Sequence, residues 1–110
     1  MATFTEISSD GVTNGTGYVT LVAAPGASTR RLVKYISVEN TDTGAVTLTL
    51  YLNNNGTRRV LYTVTLAVGD RLIYDDLVAL DATTKLVDCK LAAAKTTVDC
   101  DFVSTFADVT

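Results

Sequence analysis

Val46-Thr47-Leu48-Thr49-Leu50-Tyr51-Leu52-Asn53 decides the fold class. Apolar residues at 46, 48, 50 and 52 alternate without a break with Thr, Tyr and Asn at 47, 49, 51 and 53. A β-strand points successive side chains to opposite faces, so this segment is a strand with one face in a core and the other in water. Thr and Tyr on the wet face suit a pleated surface.

The same alternation continues downstream, where Val60, Tyr62, Val64 and Leu66 predict a second strand with those four inward. The connection is Asn54-Asn55-Gly56. A two-residue Asn55-Gly56 turn would place Leu50 opposite Leu61 and turn Val60, Tyr62 and Val64 onto the wet face, because a one-residue slip inverts every side chain. An odd loop, Asn54-Asn55-Gly56 with Gly56 left-handed, pairs Leu50 with Val60 and Leu48 with Tyr62. The odd loop is the expected register.

Upstream, residues 31–40 read as a strand with Leu32, Ile36 and Val38 on one side and Val33 and Tyr35 on the other. The turn Thr41-Asp42-Thr43-Gly44 closes it. Tyr18-Val19-Thr20-Leu21-Val22 forms another, followed by a loop with the only proline, Pro25. Residues 1–16 are small and polar apart from Phe4, Ile7 and Val12, and read as an extended N-terminal arm or lead-in to a domain over 17–110. Such an arm either docks on a neighbouring subunit or remains a partly ordered terminus.

Towards the C-terminus the turn Ala67-Val68-Gly69-Asp70 leads into Leu72-Ile73-Tyr74. After the Asp75-Asp76 break, residues 77–80 form a short strand of their own. The chain closes with a hairpin of 85–92 against 97–106. Asp81 to Val87 supplies at most one helical turn. The whole predicts an all-β, single-domain antiparallel β-sandwich or jelly roll of seven to eight short strands, or a small barrel.

Composition bounds the function. The chain has 110 residues, 47% hydrophobic and 19% charged, which suits one globular domain. A domain of this size is only marginally stable, so oligomerisation would add stability. No run of 18 apolar residues occurs, which excludes a membrane-spanning helix. Met1-Ala2-Thr3-Phe4-Thr5-Glu6 lacks the basic start and apolar stretch of a signal peptide, so synthesis in the cytosol is expected. Twelve acidic residues outnumber nine basic ones, for a net charge of −3, and the pI is about 4.6. That balance argues against nucleic acid as the partner, since phosphate binding needs clustered Lys and Arg.

The chain contains no His and no Trp. Ser-His-Asp and Cys-His constellations therefore cannot be assembled, and the commonest general base and metal ligand is missing. The expectation is a protein that is not an enzyme and has no cofactor.

The remaining motifs favour structure over chemistry. A two-residue turn at Ala94-Lys95 places Cys89 opposite Cys100, with Leu91 facing Val98 and Val87 facing Phe102. That register permits a cross-strand disulfide. The alternative, two buried thiols acting as small hydrophobes, is favoured by cytosolic synthesis. Two Cys without His make a poor zinc site. Asp75, Asp76, Asp81, Asp88, Asp99 and Asp101 match no calcium-loop spacing and read as a solvated sheet face. Arg30-Arg31 and Arg58-Arg59 are the doubled basic positions, and the two members of each pair point to opposite faces. They serve either as loop charge for solubility or as partners for an acidic surface. Asn14-Gly15-Thr16-Gly17 has no following helix and is not a phosphate loop. Asn55-Gly56-Thr57 fits a glycosylation acceptor that cytosolic synthesis would leave unused.

Two longer stretches carry a resemblance: Leu21-Val22-Ala23-Ala24-Pro25-Gly26-Ala27-Ser28-Thr29-Arg30-Arg31-Leu32-Val33-Lys34-Tyr35-Ile36-Ser37-Val38-Glu39-Asn40-Thr41-Asp42-Thr43 and Val64-Thr65-Leu66-Ala67-Val68-Gly69-Asp70-Arg71-Leu72. Over roughly residues 18–92 the chain resembles small β-sandwich virion proteins of tailed bacteriophages, built on an A-P-x-G strand pair followed by an L-x-x-G-D-x-L turn. Val68 departs from this pattern where proline is common. The resemblance implies a head decoration (cement) protein on the capsid exterior, or a neck or tail component. It also implies a homo-oligomer, foremost a trimer, that binds the major capsid protein and is localised to the virion after synthesis in the host cytoplasm. No membrane is implied. Phe4 and Ile7 of the arm, with Arg30 and Arg58 beside loops, are the expected partner interface. A carbohydrate- or receptor-binding module is the rival reading, with Tyr35 and Tyr51 as its outward aromatics.

Overall fold

The computed structural model describes residues 3–110; Met1 and Ala2 of the expected arm lie outside the described residues. Nine strands are described: β1 (Phe4–Val12), β2 (Val19–Val22), β3 (Arg30–Glu39), β4 (Val46–Asn54), β5 (Thr57–Leu66), β6 (Arg71–Tyr74), β7 (Val78–Leu80), β8 (Lys85–Leu91) and β9 (Asp101–Val109). They form two antiparallel sheets. The first runs β1-β9-β3-β6, with β7 following β6 along the same side of β3; the second runs β2-β8-β4-β5. Since β6 and β7 share one position, each sheet is four positions wide. The chain changes sheets at every connection except β4–β5 and β6–β7. This is the strand order of a jelly roll, closed as one all-β domain.

The core fills the space between the sheets. Val33, Ile36 and Val38 of β3 and Phe102 and Phe106 of β9 meet Leu48 and Leu50 of β4 and Val87, Cys89 and Leu91 of β8. Each large aliphatic side chain buried here contributes about 1.5–3 kcal/mol relative to exposure. The 1–16 segment takes part as well: β1 pairs with β9 over its whole length, yet every residue of it remains exposed.

The β4–β5 hairpin corrects the expected odd loop. Asn55 (φ 54°) and Gly56 (φ 93°) form a two-residue turn, with Asn54 opposite Thr57 and Tyr51 opposite Val60. Two left-handed residues match the twist of paired strands, and the Gly56 N–H donates to Asn53 Oδ1 at 2.8 Å. Parity is then restored by a bulge at Leu61, so that Leu50 faces Tyr62 and Leu48 faces Val64. Val64 and Leu66 keep the core phase, and Tyr62 keeps it in register only, being 45% exposed where it was expected inward. Val60 does not, and is exposed.

A second bulge, at Lys34, reverses the expected sides of β3. Val33 joins Ile36 and Val38 in the core, while Leu32 lies on the outer side with Tyr35. The expected hairpin of 85–92 with 97–106 is also absent, because β8 and β9 belong to different sheets. Cys89 is opposite Val19 and Leu50, and Phe102 is opposite Gly11 and Val38. The predicted Cys89–Cys100, Leu91–Val98 and Val87–Phe102 facings are therefore replaced. The cause is the 92–100 crossover, which Asp42 holds: its carboxylate accepts the N–H groups of Thr96 (2.7 Å), Thr97 (2.7 Å) and Val98 (3.2 Å). Buried Asn40 secures the same end by donating through Nδ2 to the carbonyls of Gly44, Leu66 and Ala67.

Candidate functional site

Phe4 and Arg30, 26 positions apart, meet on the outer face of the first sheet, because Phe4 and Arg30 both flank Val109 in register. With Leu32 and Val109 they line an open depression of about 240 Å³. Phe4 is 68% exposed, far more than a core aromatic. Arg30 is exposed, whereas Arg31 points inward. Arg31 donates through Nε and Nη2 to Asp108 at 2.7 and 3.0 Å and through Nη1 to the Ala23 carbonyl, with its guanidinium 4.4 Å from the Phe106 ring centre. Arg31 holds the Asp108 carboxyl below the usual range. Doubling at 30–31 thus separates one outward cation from one structural cation.

At the opposite end of β1 a second depression is lined by Asp10, Gly11, Val12, Asp101, Phe102 and Val103. Its charge is acidic where the first is basic. Between them Lys34 Nζ reaches Glu6 at 2.8 Å. Ile7 lies on the other face of β1, opposite Phe106, at the margin of the sandwich.

Arg58 sits on the outer face of the second sheet, away from Phe4 and Arg30. It bonds Asp88 Oδ2 through Nε (3.0 Å) and Nη2 (2.9 Å) and lies 3.5 Å from the Tyr18 ring centre. Its hydrogen bond to Asp88 raises its pKa further. Asn53 Nδ2 reaches the same carboxylate oxygen at 3.2 Å. Asp88 is only 2% exposed, which corrects its expected place on a solvated face. Asp99 departs from that expectation too, accepting from the Gly15 N–H (2.8 Å), Thr13 Oγ1 (3.2 Å) and Lys95 Nζ (3.0 Å). Asp75, Asp76, Asp81 and Asp101 are exposed as expected.

Cys89 and Cys100 are free and buried. Burial, aided by the Asp88 charge, pushes the Cys89 thiol up to about 12, and burial raises Cys100 as well. Among the described residues no three His, Cys, Asp or Glu side chains gather into a metal-holding group. The Asn14–Gly17 segment is a tight turn closed by the Gly17 N–H on the Asn14 carbonyl at 2.8 Å. Tyr35 and Tyr51 lie on the outer faces of different sheets and share no platform. Tyr51 instead packs edge-on against Tyr18 at 5.8 Å.

The sequence nominated Phe4 and Arg30 for the interface and noted Val12 as apolar without nominating it; it missed Val103, which with Val12 is exposed on the same β1–β9 face. Val103 sits in Asp101-Phe102-Val103-Ser104, where no clean alternation marks its side.

No protein family matches the sequence, and no curated protein matches it. The fold is shared with solved structures. The chain is similar, over 99% of its length and 88% of the other, to a protein of Bacillus endospore appendages, described as disulfide-linked pili (TM-score 0.60, 15% identity). It is similar over 100% of its length and 94% of the other to a chain of the capsid of a Helicobacter pylori bacteriophage (TM-score 0.59, 15% identity). A chain of the virus-like particle of an extra small virus of the prawn Macrobrachium rosenbergii matches 98% of this chain over 79% of its own (TM-score 0.50, 11% identity). At these identities the likeness establishes a common β-sandwich architecture.

Proposed function

We propose that the chain is a non-enzymatic structural protein of a bacteriophage virion, a head decoration (cement) protein that binds the major capsid protein from outside and stabilises the lattice. The observation that carries this reading is the end-to-end match with a phage capsid chain of nearly equal length. A jelly roll of this size suits an accessory capsid component. The resemblance in residues 18–92 points the same way. The contact surface is the end of the first sheet where Phe4 and Arg30 meet, with Ile7 at its margin. Arg58 contributes from the second sheet only where a partner competes with Asp88. Repeated weak contacts on a symmetric shell add up through avidity, so no reactive residue is needed.

A second reading, a subunit of a surface filament, is favoured by the match to the endospore pili. The buried Cys89 and Cys100 weigh against the disulfide-linked version of it, since neither sulfur reaches the surface.

Mass spectrometry of purified particles, with heads and tails separated, tests the proposal. Recovery with heads, and head particles that lose thermal stability when the protein is removed, is the expected result. Recovery with tails moves the protein to the neck or tail, and absence from virions overturns the reading.

A further inference from the structure

We propose that β1 is a self-recognition edge through which two copies pair antiparallel about a two-fold axis at Ser8, joining their first sheets into one. The pairing concerns the chain with itself and does not depend on the virion reading.

Hydrogen-bond direction supplies the first argument. Thr3 and Thr110 exchange both backbone bonds, at 3.2 and 3.1 Å, and the Thr13 N–H donates to the Cys100 carbonyl at 2.9 Å. In an antiparallel ladder bonded and non-bonded pairs alternate, so the odd-numbered residues of β1 are bonded to β9. The N–H and C=O groups of Phe4, Glu6, Ser8, Asp10 and Val12 therefore point to the open side, which no described strand covers.

The four sheet edges are not alike. β2 and β6 have four residues each, and β2 is further broken by a bulge at Leu21. β5 is interrupted at Leu61 and carries Arg58-Arg59. Short strands, bulges, proline and charged side chains, Lys above all, are the usual means of blocking edge pairing. β1 alone is both long and unbroken, nine residues in continuous register with no proline, Lys or bulge, its only charges being the acidic Glu6 and Asp10.

The occupant that fits is a second copy. Antiparallel alignment with full overlap sets Phe4 against the partner's Val12, Glu6 against the partner's Asp10, and Ser8 against the partner's Ser8. Each outward-pointing N–H of β1 then meets a C=O of the partner's β1 and each C=O an N–H, for about ten new hydrogen bonds. Phe4 (68% exposed) and Val12 (54% exposed) cover each other at both ends on the same face. Glu6 against the partner's Asp10 is unfavourable and occurs twice by symmetry; at each, Lys34, 2.8 Å from Glu6, stands over the pair with donors to spare. The two-fold also brings the basic depression at Arg30 beside the acidic one at Asp10 and Asp101. Such an isologous contact closes as a pair, in place of the trimer that the resemblance implies. In the pair Phe4 belongs to the seam, so the surface left for a further partner narrows to Arg30, Leu32 and Val109.

Sedimentation velocity of the full chain, with Ser8→Pro and Ser8→Cys variants, tests this. The Ser8 N–H faces away from β9, so proline there removes inter-copy bonds and leaves the β9 ladder intact. The expected result is a dimer of the parent chain that Ser8→Pro weakens at least about 100-fold, leaving a folded monomer that still unfolds cooperatively and lacks the concentration-dependent melting temperature of the parent. Directly opposed Ser8 positions have Cα atoms about 5.5 Å apart, within disulfide reach, so Ser8→Cys gives a covalent dimer under mild oxidation. Thr63→Cys on β5 gives none. A parent chain that stays monomeric at millimolar concentration overturns the proposal. So does a dimer untouched by Ser8→Pro, or one that Ser8→Cys fails to trap.

Discussion

Asp42 and Thr97 are 55 positions apart in the chain and 2.7 Å apart in space, carboxylate Oδ1 to backbone N–H. The other oxygen, Oδ2, accepts the Thr96 N–H, and Oδ1 also accepts from Thr43 and Val98. One side chain thus ties the turn after β3 to the crossover between β8 and β9. The final two strands are sent to different sheets at this point, where a local hairpin would have kept them together.

Replacing Asp42 with Ala leaves several N–H groups without an acceptor at a part-buried site. The melting temperature should fall by roughly 5–10 °C, read by calorimetry. An unchanged melting temperature would show that the crossover is held elsewhere.

The same carboxylate predicts acid sensitivity. Its hydrogen bond from the Thr96 N–H, with those from Thr97, Thr43 and Val98, overcomes a smaller opposing effect of burial and draws the Asp42 pKa from 3.8 down to about 2. Asp108 is lowered too, by its hydrogen bonds from Arg31. The unfolded chain therefore binds more protons than the folded one in this window. Stability is full above pH about 4 and is lost as pH falls towards about 2. Urea midpoints measured from pH 6 to pH 2 should show this decline, and the slope should be shallower in Asp42→Ala.

Arg58→Ala should destabilise through Asp88, which would be left at 2% exposure with only Asn53 hydrogen-bonded to it. Removing one partner of a buried pair is costly, whereas replacing both by apolar groups is often neutral. The double variant Arg58→Ala/Asp88→Val should accordingly melt above Arg58→Ala. Additive losses in the thermal cycle would show that the two residues act independently.

Cys89 and Cys100 should resist a thiol reagent at pH 8 in the folded protein and both react in denaturant. A thiol held near 12 by burial supplies almost no thiolate at that pH. Fast labelling of the native protein would contradict the buried placement.

Much of the fold was legible because alternation is a local property. Val46 to Leu52 announced a half-buried strand, and Leu48 and Leu50 are fully buried as expected. Where the reading failed within strands, it failed on phase; the expected pairing of 85–92 with 97–106 failed on strand neighbours. At Asn54–Gly56 the turn chemistry and the apolar phase of β5 conflicted, and an odd loop was one way to reconcile them. The chain instead keeps the two-residue turn and places the extra residue, Leu61, inside the strand. Lys34 does the same in β3. Nothing in a list of side chains marks which strand will carry the surplus residue, because the choice depends on the strand facing it.

The candidate surface divides in the same way. Sequence by itself determined that the chain is built of strands and that it lacks the His that common catalytic constellations need; Phe4, Ile7, Arg30 and Arg58 it only nominated as an interface. Only the tertiary structure decided that Phe4 and Arg30 share a face, joined through Val109. It also committed Arg58 to Asp88 and left β1 as the one long, unblocked edge. Strand identity follows from residues two apart, which the backbone holds on a common face. Strand neighbours are chosen by two sheets competing to cover the same apolar surface, and that competition is settled by contacts as distant as Asp42 and Thr97.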